Sequence, residues 1–331
     1  MIKHTSAQSL SIEKRNRPLR VLNLVTSPSA SFFKQQVHAL EQRGVDCTDF
    51  GVSEMRLMTD DIKETRPPTD YVRFYGSAIK ESFGDYDLIH ANSGLTAPGA
   101  VFQPNLPVVL SLWGSDLMGT FGPISKLCAR RADAVIVMSQ EMADELGMDC
   151  HVIPHGVNTE LFRPMDKAVA REQLGWDQDA TYVLFPYPAS REIKDYPRAK
   201  RVVTAAQERL GRDIHLQTVF KVEHENMPLY MNAADVMLLT SKREGSPNAT
   251  KEALACNLPV VSVDVGDIQQ QLGGVGSAVI ANTDEELTEG LLALLTADHL
   301  PESRQWAIET MSLESMAERI HAVYEQVLEA N

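Results

Sequence analysis

Two carboxylates, Glu244 and Glu252, stand eight positions apart in the run LLTSKREGSPNATKEALACNLPVVSVDVGD (residues 238–267), with a Gly-Ser-Pro-Asn turn between them. An ionised carboxylate only accepts hydrogen bonds, so each suits the two protons of a sugar diol. Ser246 is a good N-cap and Pro247 a good first helical residue, which predicts a helix over residues 247–256. The first N–H groups of such a helix lack partners, and its dipole favours negative charge. Phosphate at the helix start and hydroxyls on either side are the chemistry of a sugar phosphate. By spacing alone, a capped helix with an incidental glutamate at each end fits equally well.

Such a site needs strands that empty into helix starts, and the pattern supplies them almost throughout. Apolar runs predict strands at 19–25, 47–52, 86–90, 108–112, 134–138 and 150–153. After a breaker-rich segment, IPHGVNTELFRP (153–164), the alternation restarts with strands at 182–186, 215–220, 236–240, 259–263 and 278–280. Helical patterns fall between them at 32–43, 72–83, 124–132, 140–146, 196–210, 228–234 and 285–296. Two more, near 302–310 and 313–328, close the chain. This is an α/β fold of two doubly wound Rossmann-like domains facing a cleft, where open parallel sheets bind ligands. The expected division is a disordered lead-in at 1–17, a first domain at 18–158, a second at 159–310 and a closing segment at 311–331. Met316, Ile320, Val323, Tyr324 and Val327 give that last segment one apolar helical face.

With 331 residues and 44% hydrophobic content, the chain has enough mass for two cores. Its net charge of −14 is uneven: 16 basic and 19 acidic residues through Pro164, 15 and 26 after it. A nucleic-acid partner is disfavoured by that balance. Lys14, Arg15, Arg17 and Arg20 form a short basic cluster, read as a solvated tail or a peripheral contact with an anionic membrane. The polar N-terminus lacks the apolar core of a signal peptide, and no run reaches the roughly 18 residues of a membrane span. Cys47, Cys128, Cys150 and Cys256 show neither metal-ligand nor disulfide spacing, so a reducing cytoplasm is the expected location.

The wider string resembles the retaining glycosyltransferases of family 4, which have the GT-B fold and an E-x7-E signature. Ser241, Glu244, Gly245, Pro247, Glu252, Ala253, Ala255, Cys256, Pro259, Val260 and Val261 carry the likeness. So do the 153–164 linker, Asp87-Leu88-Ile89-His90, Trp113-Gly114-Ser115-Asp116 and the run from Ala132 to Ser139. The Ser-Pro-Asn variant is similar to a branch associated with cell-surface polysaccharide assembly. The resemblance implies a hexosyltransferase that takes a sugar from a nucleoside-diphosphate sugar and gives it to a hydroxyl of a glycan or lipid-linked glycan. No cofactor or metal is implied, and no Asp-x-Asp motif is present.

By the same resemblance, Glu244 contacts the donor sugar and Glu252 the ribose. Gly245, Ser246, Asn248 and Gly266 line the donor pocket, although Gly266-Asp267 also reads as a plain turn. Lys194 matches the phosphate-binding lysine. Arg191, closer to it than the family spacing, is a second phosphate contact or a surface residue. These cations would neutralise the leaving diphosphate without a divalent metal. Base recognition falls near residues 220–223. The family's stereochemistry is retention, by front-face attack with the leaving diphosphate taking the acceptor's proton. On the acceptor side the candidates are Ser31, His90, Trp113 and Asp116. Trp113 replaces the family's histidine and reads as a sugar-stacking ring or a core aromatic. His155 in the linker reads as structural. Alternatives to transfer are a GT-B sugar-nucleotide epimerase or hydrolase, and a non-catalytic sugar-nucleotide-binding subunit.

Overall fold

The computed structural model describes residues 17–52 and 68–331; the lead-in's first sixteen residues, with Lys14 and Arg15, lie outside them. Two parallel sheets dominate. The first contains β1 (Leu19–Val25), β2 (Val45–Gly51), β3 (Leu88–Ala91), β4 (Val108–Leu112), β5 (Ala134–Val137) and β6 (His151–Val152), in the order β2-β1-β3-β4-β5-β6. The second contains β7 (Thr181–Phe185), β8 (Ile214–Thr218), β9 (Val236–Leu239), β10 (Val260–Ser262) and β11 (Ala278–Ile280), in the order β11-β10-β9-β7-β8. Each sheet therefore starts in its middle and reverses direction, at β1/β3 and at β7/β9. Their central strands are buried along their whole length, as parallel strands covered by helices on both faces must be.

Each domain has its own apolar core. One spans Leu19 to Ile153; the other begins at Val157. The last helix, Leu313–Ala330, leaves the second domain and returns Met316, Ile320, Val323, Tyr324 and Val327 to the first core. Its crossing is tied to the linker: Val157 N donates to Met311 O (2.7 Å) and Leu313 N donates to Val157 O (3.0 Å). The two strands of chain between the domains thus touch, and Gly156 makes the touch possible. A Cβ there would sit 2.5 Å from Ser312 O and 2.7 Å from the Leu313 backbone.

The structure corrects one local expectation next to the signature. The helix runs Asn248–Ala255 with Pro247 as its N-cap, and no side chain caps it. Ser246 is drawn away, accepting a hydrogen bond from Gln271 Nε2 (3.3 Å). The reach of Gln271, from a neighbouring helix, overrides the local capping preference.

Candidate active site

β7 and β9 flank the reversal point of the second sheet, and their exits carry Lys194 and Glu244. From β7 the chain runs through Tyr187 to a short 3₁₀ turn, Glu192–Lys194, and then to the helix Tyr196–Leu210. Asp195 links the two in a left-handed conformation (φ 52°). Its carboxylate caps the helix by accepting from Arg198 N at 3.3 Å, so a local hydrogen bond supports an unusual backbone. From β9 the chain continues to Thr240, whose hydroxyl donates to the carbonyls of Lys194 and Asp195, each at 3.0 Å. Lys242 N donates to Ile193 O at 2.8 Å. The two exit loops are stitched together, and the stitching aims Lys194 at Glu244.

The Lys194 ammonium donates to Glu244 Oε1, and both side chains are largely buried. It also lies 3.8 Å from the centre of the Tyr187 ring, a cation–π contact. Burial pulls the Lys194 ammonium below its ordinary value, and the Glu244 carboxylate pushes it back up. Arg191 heads the 3₁₀ turn, exposed, and its charge acts on both Lys194 and Tyr187. Gly266, in a left-handed conformation (φ 59°), presses against the other side of the loop. A Cβ there would sit 2.2 Å from Gly245 O. That position therefore demands glycine for two independent reasons.

Glu252 lies one turn into the helix, and its Oε1 is 2.9 Å from His224 Nε2. The contact with Glu252 holds the His224 imidazole above its ordinary value, against the opposing effect of burial. His224 follows the 220–223 segment and packs at 5.2 Å on Phe162. Sequence reasoning stopped one residue short of it, because its partner is 28 positions away and nothing local marks it. Next to Glu252, Lys251 is fully buried and donates to His155 O at 2.8 Å and Asn248 Oδ1 at 3.3 Å. Burial lowers its ammonium from 10.5 to about 8.

Across the cleft stands the first domain's wall. A cavity of about 450 Å³ is lined on one side by Trp113, Gly114, Ser115, Met118, Met138 and Met142, and on the other by Arg243, Glu244, Gly245, Ser246 and Asn248. Trp113 follows β4, packs edge-on against Phe32 at 4.8 Å and donates from Nε1 to Asn92 O at 3.0 Å. It is thus core aromatic and cavity lining together, with its N–H already used. Arg243 is a cleft cation that sequence reasoning missed, although it directly precedes Glu244.

The structure places the other acceptor-side candidates outside that cavity's lining. His90 is fully buried between Tyr324 OH (2.7 Å) and Ser111 Oγ (2.8 Å), and burial pushes it down to about 3. It secures the returning helix and does not line the cleft. Asp116 is buried, accepts from Trp113 N (3.0 Å) and Ser93 Oγ (3.2 Å), and so holds the turn after β4. Ser31 opens the helix Ser31–Gln42, outside the cavity; its neighbour Phe32 makes the contact with Trp113. His155, expected to be structural, does donate from Nε2 to Phe32 O at 3.0 Å, yet it also lines the cleft.

Two facing doubly wound domains and a closing helix that returns to the first make up an architecture of the GT-B type. The comparisons agree. Residues 34–161 match the family described as Glycosyltransferase Family 4, and residues 194–297 match Glycosyl transferases group 1. The chain is 29% identical over 217 residues to TuaC of Bacillus subtilis (strain 168), named a teichuronic acid biosynthesis glycosyltransferase. That match covers 56% of this chain and 55% of the relative, little more than half its length. It is 26% identical over 244 residues to the lipopolysaccharide core biosynthesis mannosyltransferase LpsB of Rhizobium meliloti (strain 1021), covering 62% of this chain and 68% of that one. Among solved structures, HepE from Anabaena in complex with UDP and glucose superposes with a TM-score of 0.64, over 93% of this chain and all of that one, at 16% identity. Both sequence matches point to sugar transfer, which favours that reading over an epimerase, a hydrolase or a binding subunit.

Proposed function

We propose that the protein transfers a sugar from a nucleoside-diphosphate sugar to a hydroxyl of a glycan or lipid-linked glycan, with retention and without a metal. One observation carries this reading: Glu244, paired with Lys194 where the β7 and β9 exits meet, faces the Trp113 wall across one cavity, with the helix that bears Glu252 starting at its edge. The diphosphate lies at the free amides of the helix Asn248–Ala255 and against Lys194, with Arg191 and Arg243 adding charge at the rim. Those cations take up the negative charge that develops on the leaving diphosphate. Glu252 accepts from the ribose hydroxyls, and Glu244, oriented by Lys194, accepts from the donor sugar. The acceptor hydroxyl enters from the Trp113 side and attacks the front face of the sugar, and the leaving diphosphate takes its proton. TuaC and LpsB, with their printed roles in teichuronic acid and lipopolysaccharide synthesis, support a cell-envelope glycan as acceptor. The site would then work in the cytoplasm, at the inner face of the membrane.

A thermal-shift screen against UDP, GDP and ADP sugars selects the donor. Transfer is then measured for Glu244→Ala, Glu244→Gln and Glu252→Ala. Each substitution is expected to depress turnover strongly in a folded protein; near-wild-type turnover in all three overturns the assignment. Incubation of labelled donor without acceptor must leave the sugar unepimerised.

A further inference from the structure

A second cavity, of about 340 Å³, lies where the chain passes between the domains. Pro154 and His155 of the linker border it, with Lys251 and Asp267 from the second domain and Met311 and Met316 from the closing segment. His155 is the one residue that it shares with the lining of the cleft. Its exposed rim, formed by Gln140, Gln270, Thr310 and Arg319, is separate from the cleft as well. Two buried atoms of residues in its wall have no hydrogen-bond partner: His155 Nδ1 and Asp267 Oδ2. Those residues are only 6% and 2% exposed. Such atoms are uncommon inside a folded protein, because each has given up its hydration for nothing in return.

The free groups decide what fits. His155 spends its Nε2–H on Phe32 O, and burial holds the imidazole below its ordinary value, so Nδ1 is a lone-pair acceptor. Asp267 accepts from Gln271 Nε2 at Oδ1 (2.7 Å), which leaves Oδ2 as a second acceptor. Both atoms call for a ligand that donates hydrogen bonds. A fully ionised anion has no proton to give and meets the Asp267 charge. An ammonium could donate, yet the buried Lys251, whose charge acts on Asp267, and Arg319 at the rim repel it. Lys251 uses two of its three N–H groups, on His155 O and Asn248 Oδ1, and Arg319 donates to Val152 O with further N–H groups to spare. Hydroxyls satisfy both sets, since each donates to one group and accepts from another. We propose that this cavity is a second ligand site, for a neutral polyhydroxylated molecule the size of one monosaccharide that enters as a free molecule past Gln270 and Arg319. The volume falls within the ~300–1,000 Å³ of ordinary small-molecule sites. The inference stands apart from the transferase reading, since the ligand is neither the donor nor the acceptor of the cleft. A molecule seated here touches the linker, both domains and the closing helix at once.

The test uses the full chain with isotope-labelled methionine methyl groups, followed by NMR, and glucose, mannose and galactose as probes. Met311 and Met316 report on this cavity, Met138 and Met142 on the cleft; Met→Leu variants assign the signals. At least one sugar is expected to shift the Met311 and Met316 signals along a saturable curve and to leave those of Met138 and Met142 in place. Asp267→Asn is expected to weaken that binding about tenfold, since it removes a charged acceptor. Gln270→Trp, at the exposed rim, is expected to abolish it by filling the entrance, and it decides the question if Asp267→Asn does not fold. Gln270 lies outside the donor site, so the nucleotide thermal shift of Gln270→Trp should equal the wild type's. The proposal is overturned if no sugar gives a saturable shift, or if the shifts are confined to Met138 and Met142. Equal sugar affinity in the wild type and the folded variants overturns it too, as does tighter binding of sodium phosphate than of any sugar at Met311 and Met316. A wild type with no nucleotide thermal shift counts against the transferase reading alone, and the methionine signals still decide this proposal.

Discussion

If Glu252 receives the ribose, then His224 competes with the donor. Its Nε2 lies 2.9 Å from Glu252 Oε1, the oxygen a ribose diol needs. In the free protein the carboxylate raises the imidazole above its ordinary 6.5. Once the ribose takes Glu252, His224 returns towards that value and releases a proton. Nucleotide binding is therefore strongest above the raised value, weakens as pH falls through it and levels off near 6.5. The size follows from exposure. The His224 side chain is 44% exposed and that of Glu252 is 11% exposed, so solvent screens the pair to about 0.5–1 kcal/mol. That corresponds to about two- to fivefold in Kd. Calorimetric titration of wild type and His224→Ala with the selected nucleoside diphosphate, on both sides of the window, measures it. The phosphate's own ionisation affects both proteins alike and drops out of the comparison. His224→Ala is expected to bind about two- to fivefold tighter at the acid end and equally at the alkaline end. Weaker binding by His224→Ala at every pH would refute the reasoning, because His224 would then be a ligand contact and not a competitor.

Other expectations follow from single contacts. Lys194→Met leaves the Glu244 side chain, 13% exposed, without its cation, and should cost about 3 kcal/mol in urea denaturation. Gly156→Val forces a side chain into the Ser312–Leu313 backbone at 2.5–2.7 Å, so the same assay should show a loss of about 2–3 kcal/mol. Gly76→Ala, in the helix Pro68–Glu81 with nothing within 4 Å of the new Cβ, should instead gain about 0.5–1 kcal/mol. Lys251 falls from 10.5 to about 8 on burial, so between those values the unfolded chain binds more protons and stability rises with pH. That contribution is about 3 kcal/mol at most, and denaturation across the window should show it missing in Lys251→Met.

What the sequence disclosed follows from which interactions are local. β4 has the predicted limits because a parallel strand buried along its length reads as a nearly unbroken apolar run; β1 and β11 also end where predicted, although Arg20 and Asn23 interrupt the first and the second is a half-buried edge strand. The helix Lys167–Leu174 was not anticipated, since Arg171 reads as surface. In the fold it is buried, donating to Ala233 O, Gln178 O and Asp235. Helices Ala97–Val101 and Gly114–Met118 are barely longer than one turn and too short for a periodic signal. The glutamates stood out at a strand exit and a helix start, and Lys194 through the family resemblance; the structure brings Lys194 and Glu244 together. His90 misled because its partner Tyr324 comes from 234 positions away. His224 and Arg243 were missed because their meaning comes from Glu252 and from the cleft.

The two domains are bridged by a residue whose type suggested nothing of the kind. His155 donates from its ring to Phe32 O in the first domain, and its carbonyl accepts from Lys251 in the second. Phe32 supports Trp113, and Lys251 adjoins Glu252 on the same helix. A rotation that brought the Trp113 wall towards Glu244 would therefore strain or exchange bonds at this linker residue. The neighbouring crossings at Val157 and residues 311–313 are bridged by backbone hydrogen bonds, so a movement of one domain on the other would have to turn about them or break them. On the proposed reading, closure of the cleft and the position of Glu252 would not be independent: a ligand held by Glu252 would be felt, through Lys251 and His155, at Phe32 and the Trp113 ring it packs against.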